Sequence, residues 1–366
     1  MKKLASIDMI DLKIPFKTEF KHHTASRKST QTVIVVVSDG DLKGYGEACP
    51  REYVTGESIS TCFEFFEKLK EKLLSNVLDL DTLKMFWTEH IILIAQNPSG
   101  WCAIELAMLD LIAKQNKCSI EKLLDVPELS GEFHYSAIIG DDNWEEFKMN
   151  ADNYFKLGFS DFKLKVNGDA KADHQRMNYL KSKNNNCTIR IDANNFWDKE
   201  EDVVNYLQAL PCTINGLEEP LKNKSITELS SLALRSNCPI ILDESCCTIE
   251  SLAQVLKSNI KFIINIRVSK MGGLINSLQI AETCKARGLE VIIGAQVGET
   301  SILTRAGICV ANFLKPNYLA MEGGFGTMLL ERDIVSKPMM FSQNGVLDPK
   351  KYVDPKLFGW GLEMEL

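Results

Sequence analysis

From about residue 134 onward, short apolar segments alternate with amphipathic segments, and no other feature of the sequence restricts the fold as strongly. The apolar segments have the length and composition of strands, and the segments between them have helical periodicity. Eight strand–helix units over about 200 residues are what a (β/α)8 barrel requires. The predicted strands are residues 134–140, 161–166, 188–194, 216–220, 239–244, 262–268, 290–297 and 318–322.

A doubly wound open sheet is the alternative arrangement of such units. It usually carries a glycine-rich phosphate turn after an early strand, and neither GxGxxG nor GxxxxGKS/T occurs in such a place. The glycine cluster at 323–326 follows the eighth strand, where it could cradle a substrate anion. We therefore predict an α/β fold in which residues 130–340 form a (β/α)8-type barrel.

The first third of the chain follows a different pattern. Two β-rich segments joined by a turn come first, and helical patterns follow, which predicts an α+β domain over residues 1–125. The C-terminal tail, residues 345–366, carries aromatic side chains that need burial, so we expect it to pack back on this domain. The strands are predicted at 32–37 and 43–47, and the helices near 58–76, 80–95 and 98–115.

Composition argues against several classes of protein. The net charge of −7 offers no basic face for nucleic acid, and no apolar run approaches the ~20 residues of a membrane span. The N-terminus lacks the pattern of a signal peptide. The eleven cysteines include no CxxC pair and are typical of reduced thiols, and the five histidines include no i, i+4 metal pair. We therefore expect a cytoplasmic protein that binds neither nucleic acid nor membrane.

Carboxylates stand where three consecutive barrel strands should end in apolar residues. Asp192 and Glu218 are 26 residues apart, and Glu218 and Asp243 are 25 apart, so one strand–helix unit separates each pair. Parallel barrel strands end on one face, where barrel enzymes have their active sites. Three convergent carboxylates repel one another unless a cation lies among them. Because an all-oxygen set favours a hard ion, we predict one Mg²⁺ or Mn²⁺ per chain at Asp192, Glu218 and Asp243.

Two lysines, Lys163 and Lys165, alternate along the second strand, so they share one face. Two ammonium groups close together lower each other's pKa, and a lysine with a pKa near neutrality can act as a general base. A metal beside it would bind a substrate carboxylate and stabilise the enediolate left when the α-proton is removed. The predicted chemistry is metal-assisted proton abstraction next to a carboxylate.

Together these motifs resemble the enolase superfamily, in the muconate-lactonizing-enzyme subgroup that includes dipeptide epimerases. The resemblance spans essentially the whole chain, and in that family the residues before the barrel form a capping domain. The motifs that carry it are Lys163-Leu164-Lys165, Asp192-Ala193-Asn194, Glu218-Glu219-Pro220, Asp243-Glu244-Ser245, Ser269-Lys270-Met271-Gly272-Gly273 and, in the first domain, Gly44-Tyr45-Gly46-Glu47-Ala48.

The resemblance implies a role for each matching residue. Lys165 would be the acid/base catalyst, and Lys163 would tune its pKa and touch the substrate carboxylate. The three carboxylates would bind the metal. The remaining implied roles are Asn194 and Glu244 as outer partners of the metal, Glu299 as a hydrogen-bond partner of the enolate, residues 16–29 and 48–58 as loops that close the site, and Arg51, Tyr53 and Phe20 as specificity residues.

Two positions depart from the family pattern. Arg267 replaces the second catalytic lysine of the sixth strand. Because arginine stays protonated, it can stabilise an enolate but cannot readily take a proton. At the end of the eighth strand, the Asp-x-Asp pair that holds a dipeptide's ammonium group is missing, and Glu322 is the substrate-binding candidate that could still meet a cation.

We therefore expect an isomerase of small carboxylates, either a cycloisomerase or an amino-acid or dipeptide epimerase. One-base chemistry with Lys165 also permits an acid dehydratase. The Arg267 substitution permits a third possibility, a non-catalytic protein that keeps the fold and the metal. Assembly into a homo-oligomer stays open.

Overall fold

The computed structural model describes the backbone of residues 3–22, 25–77, 79–140 and 143–366, and the side chains of all of these except 19–22, 25 and 26.

Up to residue 125, the described chain forms strands first and helices afterwards, which is the predicted α+β order. The elements are β1 (Ser6–Leu12), β2 (Pro15–His22), β3 (Ala25–Ser29), β4 (Thr32–Ser38), β5 (Lys43–Ala48), α1 (Glu52–Thr55), α2 (Ile59–Asn76), α3 (Leu80–Glu89), α4 (Ile91–Ala95), α5 (Pro98–Gln115) and α6 (Ile120–Leu123). Strand β4 lies between β1 and β5 in one antiparallel sheet, and β2 pairs with β3 in a separate hairpin. The helix predicted over 80–95 is two helices, because the chain turns at His90.

Helix α5 has an apolar sequence on most sides, and nearly all of its residues are buried. One side packs on β5, where a Cβ at Gly44 would lie 2.2 Å from the carbonyl oxygen of Ala107. A Cβ at Gly46 would lie 2.1 Å from that of Ala103. Glycine at both positions therefore lets the strand lie directly against the helix backbone.

From residue 133 the described chain alternates between strands and helices. The elements are β6 (Phe133–His134), β7 (Ala137–Ile139), α7 (Trp144–Lys156), β8 (Asp161–Lys165), α8 (Ala170–Lys183), β9 (Thr188–Asp192), α9 (Glu200–Gln208), β10 (Gly216–Glu218), α10 (Ile226–Ser236), β11 (Ile240–Leu242), α11 (Ile249–Val255), β12 (Ile263–Ile266), α12 (Leu274–Arg287), β13 (Val291–Ile293), α13 (Ser301–Leu314), β14 (Ala320–Met321) and β15 (Val346–Leu347).

Strands β7 to β14 lie side by side in chain order, and every pairing between them is parallel. The Ser136 N–H donates to the Met321 carbonyl (2.8 Å), which joins β14 to the residue before β7 and closes the barrel. Outside it, β15 pairs with β6. The predicted fold class is confirmed.

The observed strands are shorter than the apolar segments that predicted them. Residues beyond each ladder turn into the loops that carry the candidate site, so the segments 188–194 and 290–297 shrink to β9 and β13. Within residues 320–366, all of which the structure describes, no α-helix follows β14, and a 3-10 turn at Gly326–Met328 takes its place. The eighth strand–helix unit therefore lacks its helix.

Two buried glutamates of the N-terminal part bind the N-termini of barrel helices. Glu47 accepts hydrogen bonds from the Thr300 and Leu303 N–H groups (2.7 and 2.9 Å) at the start of α13. Glu105 accepts one from the Ile275 N–H (3.0 Å) at the start of α12. Helix N-termini attract negative charge, so these contacts anchor the N-terminal part to the barrel.

The C-terminal tail returns to the N-terminal part. The buried indole of Trp360 donates through Nε1 to the Tyr45 carbonyl (2.9 Å), and the Trp360 N–H donates to Asp110 Oδ1 (2.9 Å). These contacts support grouping residues 345–366 with residues 1–125, and the domain boundaries themselves stay a prediction.

All eleven cysteines are free thiols, as their spacing predicts. Most are buried, and burial raises their pKa, in the case of Cys238 to about 12. Such thiols behave as small apolar side chains. Among the described helices, none has both the length and the apolar character that crossing a membrane requires.

Candidate active site

Strand register places three predicted site residues at one level inside the barrel. Lys165 on β8 lies opposite Asp192 on β9, and Asp192 lies opposite Glu218 on β10. Asp243 follows directly after β11, and all three carboxylates are buried. The spacing of the strand–helix units therefore places them at the carboxyl-terminal end of the barrel, as the sequence predicts.

Lys163 lies deep among the carboxylates. Its Nζ is 2.7 Å from Glu218 Oε2, 2.8 Å from Glu322 Oε2 and 3.4 Å from Asp192 Oδ2, and its side chain is 3% exposed. Burial by itself lowers the pKa of Lys163, but the three carboxylates outweigh burial and raise it. The expectation that the two lysines lower each other's pKa is therefore wrong for Lys163, which is a fixed positive charge.

Lys165 is the more accessible lysine, with 13% of its side chain exposed. Its Nζ donates to Asp192 Oδ2 (2.8 Å) and to Asn194 Oδ1 (2.9 Å). A base must reach the substrate, so Lys165 has the better position for proton transfer.

Arg267 approaches the carboxylates from the other side of the barrel, because β12 lies four strands from β8. Its guanidinium donates to Asp243 Oδ2 and lies 3.6 Å from Glu218 Oε1. It also donates through Nη1 to Gln296 Oε1 (3.2 Å) at the end of the seventh barrel strand. Lys165 and Arg267 therefore face the carboxylates from opposite directions.

Two contacts of this site were not predicted from the sequence. The Asn265 amide donates to Glu218 Oε1 (3.1 Å), and Lys270 Nζ lies 2.8 Å from Asp243 Oδ1. Strand alternation puts Asn265 on the inward face of β12, so that signal could have found it. Lys270 lies in the turn after the strand, where alternation no longer applies. A Cβ at Gly294 would lie 2.1 Å from Asn265 Oδ1, so glycine there leaves room for the amide.

The glutamates that follow two of the carboxylates have different surroundings. Glu219 accepts hydrogen bonds from the Asp243 and Ser245 N–H groups, both at 2.7 Å, and so ties the end of β10 to the turn after β11. Its backbone has φ +39°, a left-handed conformation that costs energy outside glycine. Glu244 Oε2 is buried without a hydrogen-bond partner, and burial raises the pKa of Glu244 to about 8.

The donor chemistry of the site suits a hard divalent cation. Its three carboxylates offer oxygen atoms alone, and the buried Glu244 oxygen lacks a partner. Protein cations lie between the carboxylates, with Lys163 on one side and Arg267 on the other. Across the described residues, no three acidic, histidine or cysteine side chains are gathered around one point. The residues therefore fit a metal by their chemistry. For all three carboxylates to contact one ion, Lys163 or Arg267 has to move from between them.

Comparisons with known proteins show the family to which the chain belongs. A family model described as enolase C-terminal domain-like matches residues 146–365, more than half of the chain. The chain belongs to this family. The resemblance drawn from the sequence motifs is confirmed.

Other members of the enolase C-terminal domain-like family are similar over most of their length. The hydrophobic dipeptide epimerase of Enterococcus faecalis is 26% identical over 82% of this chain and 84% of that protein. The N-succinyl-L-Arg/Lys racemase of Bacillus cereus is 23% identical over 84% of each. A solved structure of the dipeptide epimerase from Enterococcus faecalis V583, complexed with Mg and the dipeptide L-Leu-L-Tyr, has a TM-score of 0.79 and 25% identity, covering 94% of this chain and 100% of that one.

In this member of the family, Glu322 does not face an open substrate site. Its Oε2 accepts a hydrogen bond from Lys163 (2.8 Å) and its Oε1 accepts one from Arg190 Nη1 (3.0 Å), and the side chain is buried. This differs from the expected contact with a substrate cation, because both carboxylate oxygens are bound by the protein. Arg190 precedes Asp192 by two residues, so alternation along β9 could have placed it inside the barrel.

The two specificity candidates of the second loop have different environments. Arg51 is 2% exposed, and its guanidinium donates to the carbonyl groups of Gln31 (2.8 Å) and Val297 (2.6 Å). Tyr53 is 40% exposed, and the Arg27 guanidinium lies 5.5 Å from the centre of its ring. Arg51 therefore ties the loop 48–58 to the residue before β4 and to the segment after the seventh barrel strand, whereas Tyr53 is accessible to solvent.

Two predicted site residues remain, Glu299 as the enolate partner and Phe20 as a specificity residue. Glu299 Oε1 accepts a hydrogen bond from the Gln296 N–H (2.5 Å), and burial raises the pKa of Glu299 to about 8. This places Glu299 next to the residue that binds Arg267. The side chain of Phe20 lies outside the described residues.

Proposed function

We propose that this protein is a metal-dependent isomerase that removes the proton α to the carboxylate of a small substrate. The observation that carries the proposal is the placement of an accessible lysine, Lys165, beside buried carboxylates at the carboxyl-terminal end of a barrel. A divalent ion held by Asp192, Glu218 and Asp243 would supply positive charge against the negative charge that develops on the substrate. The Mg-complexed relative supports Mg²⁺ as that ion.

Each of the remaining site residues has a separate role in the reaction. Lys165 takes the α-proton, and Asn194 and Asp192 orient its amine. Lys163 is held by three carboxylates and serves as a fixed charge rather than as a base. Arg267 stabilises negative charge from the opposite side, and Glu299 hydrogen-bonds the enolate on that same side.

The epimerase and racemase relatives favour an isomerase, and Arg267 favours a reaction that moves a proton on one face. Inversion of a carbon centre needs a second group that exchanges protons, and a guanidinium is a poor one. The second candidate is therefore a syn dehydration with Lys165 as the base. Since Glu322 is bound by Lys163 and Arg190, substrates without a free ammonium group, such as diacids, fit better than dipeptides.

The experiment is proton exchange in D2O, followed by NMR with the Mg²⁺-loaded protein and a panel of N-acyl amino acids, dipeptides and diacids. We expect deuterium at the α-carbon, and we expect Lys165→Ala to lower the exchange rate by about 10²–10⁴-fold. The control Lys222→Ala alters an exposed lysine and should leave exchange unchanged. Water loss would identify the dehydratase, inversion would show a second proton donor, and no exchange across the panel would favour a binding protein.

The metal site has a separate test. We expect Asp243→Asn to weaken Mg²⁺ binding, measured by calorimetry, by about 100-fold because it removes one charged ligand. Asp198→Asn changes an exposed aspartate in the same way and should leave the affinity unchanged. Equal affinities in both variants would contradict the ligand assignment. A cytoplasmic location and a homo-oligomer stay predictions.

A further inference from the structure

Arg267 occupies the space between two carboxylates of the candidate metal site. Its guanidinium donates to Asp243 Oδ2 and lies 3.6 Å from Glu218 Oε1. The side chain is 9% exposed, and its Nε is buried without a hydrogen-bond partner. One guanidinium therefore brings positive charge to the same oxygens that a divalent ion would need.

The other cations of the site are held more firmly than Arg267. Lys270 Nζ donates to Asp243 Oδ1 and to the carbonyl groups of Asp243 and Asn265, at 2.7–2.8 Å, in addition to a longer bond to the Cys246 carbonyl (3.4 Å). Lys163 has three carboxylates within 3.4 Å. Both lysines therefore lose several partners if they move.

Arg267 has an alternative partner beside it. Its Nη1 already donates to Gln296 Oε1 (3.2 Å), whereas its Nη2 donates to Asp243 Oδ2. The guanidinium is planar and carries several N–H groups, so it can leave one acceptor while it keeps another. Turning toward Gln296 would release Asp243 Oδ2 and take the guanidinium away from Glu218 Oε1, which keeps its hydrogen bond from the Asn265 amide.

We propose that Arg267 is a tethered cation that neutralises Asp243 and Glu218 in the metal-free protein and competes with the divalent ion for them. This inference rests on the metal site of the proposed function. Metal binding turns the guanidinium away from Asp243. The apparent affinity for metal is the intrinsic affinity multiplied by the fraction of molecules in which Arg267 is turned away from Asp243. The same contact stabilises the metal-free protein.

The test compares Arg267→Met and Arg267→Gln, which remove the charge, with Arg267→Lys, which keeps it. Binding of Mg²⁺ is measured by calorimetry, and binding of Mn²⁺ by electron paramagnetic resonance. We expect both neutral variants to bind metal about tenfold more tightly than the wild type. We expect Arg267→Lys to stay close to the wild type because a unit charge remains beside Asp243.

Thermal unfolding supplies the second readout. In EDTA the neutral variants should unfold at a lower temperature than the wild type, and saturating Mg²⁺ should raise their unfolding temperature by more than it raises that of the wild type. A neutral variant that folds with Mg²⁺ and not without it would also support the proposal.

Two results would overturn the inference, and they differ in whether the metal site itself survives. Equal metal affinities in the wild type and both neutral variants would show that Arg267 does not compete, and the metal site would stand. Absence of metal binding in all of these proteins would remove the metal site itself, and the inference with it.

Discussion

Charged side chains of alternating sign line the centre of the barrel, where apolar layers are usual. Arg190 lies 3.0 Å from Asp161 Oδ2 and from Glu322 Oε1, and Lys163 lies 2.8 Å from Glu322 and 2.7 Å from Glu218. A buried charge costs several kcal/mol unless an opposite charge accompanies it. The charges form a row in the order Asp161, Arg190, Glu322, Lys163 and Glu218, and each of the three inner residues has an opposite charge on both sides. The loss of one residue therefore leaves its neighbours buried with one partner fewer.

Replacement of Glu322 tests this view of the row. Glu322→Ala leaves Lys163 and Arg190 buried with one partner fewer each, so we expect the free energy of unfolding to fall by ~3–5 kcal/mol. Denaturant unfolding in EDTA measures the change. Asp198→Ala removes an exposed partner of Lys222 and should change the free energy of unfolding by less than ~0.5 kcal/mol. Normal stability with a raised KM would instead assign Glu322 to substrate binding.

At the scale of elements, buried carboxylates join the starts of helices to segments distant in the sequence. Glu47, at the end of β5, accepts two N–H groups of α13 and the Thr300 hydroxyl (2.7 Å). Glu57 accepts the Ser99 and Gly100 N–H groups (2.8 and 2.9 Å) at the start of α5. These contacts satisfy donors that the first turn of a helix leaves open.

The contact between Glu47 and α13 has a measurable consequence. Glu47→Ala leaves three buried donors without an acceptor, and we expect a loss of about 3 kcal/mol in the free energy of unfolding. Hydrogen exchange should accelerate at Thr300 and Leu303. Glu67→Ala, at an exposed position on α2, should leave both measurements unchanged. Unaltered exchange at α13 in Glu47→Ala would show that another acceptor serves these groups.

Periodicity in the sequence was sufficient to predict the barrel strands and not the pairing of charges. The apolar runs located all eight barrel strands, and unit spacing placed Asp192, Glu218 and Asp243 at one end of them. The partners of Glu322 could not be predicted, because Lys163 and Arg190 reach it from strands far away in the chain. Nor could the direction of the Lys163 pKa, which depends on those same carboxylates rather than on the neighbouring lysine.

At the scale of the whole molecule, the N-terminal part, the barrel and the tail share one hydrophobic core. Within that core, Glu47 and Glu105 are both fully buried acids at the junction of the N-terminal part with the barrel. Burial raises the pKa of each from 4.5 to about 7. Neither residue contacts the candidate metal ligands, so their titration reports on the fold.

These two acids predict how stability depends on pH. Between pH 4.5 and pH 7 the folded protein holds protons on Glu47 and Glu105 that the unfolded chain has released. The free energy of unfolding in EDTA should therefore fall as the pH rises through this range, by on the order of 1–3 kcal/mol for each group. Asp192 and Asp243 have lowered pKa values, so their opposite contribution changes below the range. Burial raises the pKa values of Glu218, Glu244 and Glu299 to about 8, so these three acids add to the fall in stability.

Denaturant unfolding at pH 5, 6, 7 and 8 measures this slope, and glutamine variants assign it. Glu47→Gln and Glu105→Gln each remove one titrating group, so each should flatten the fall in stability between pH 5 and pH 7, and the double variant should flatten it further. Glu67→Gln changes an exposed acid and should keep the wild-type slope. A wild-type stability that rises with pH over this range would mean that both carboxylates are ionised in the folded protein, where the N-termini of α12 and α13 then stabilise their charge more than burial opposes it.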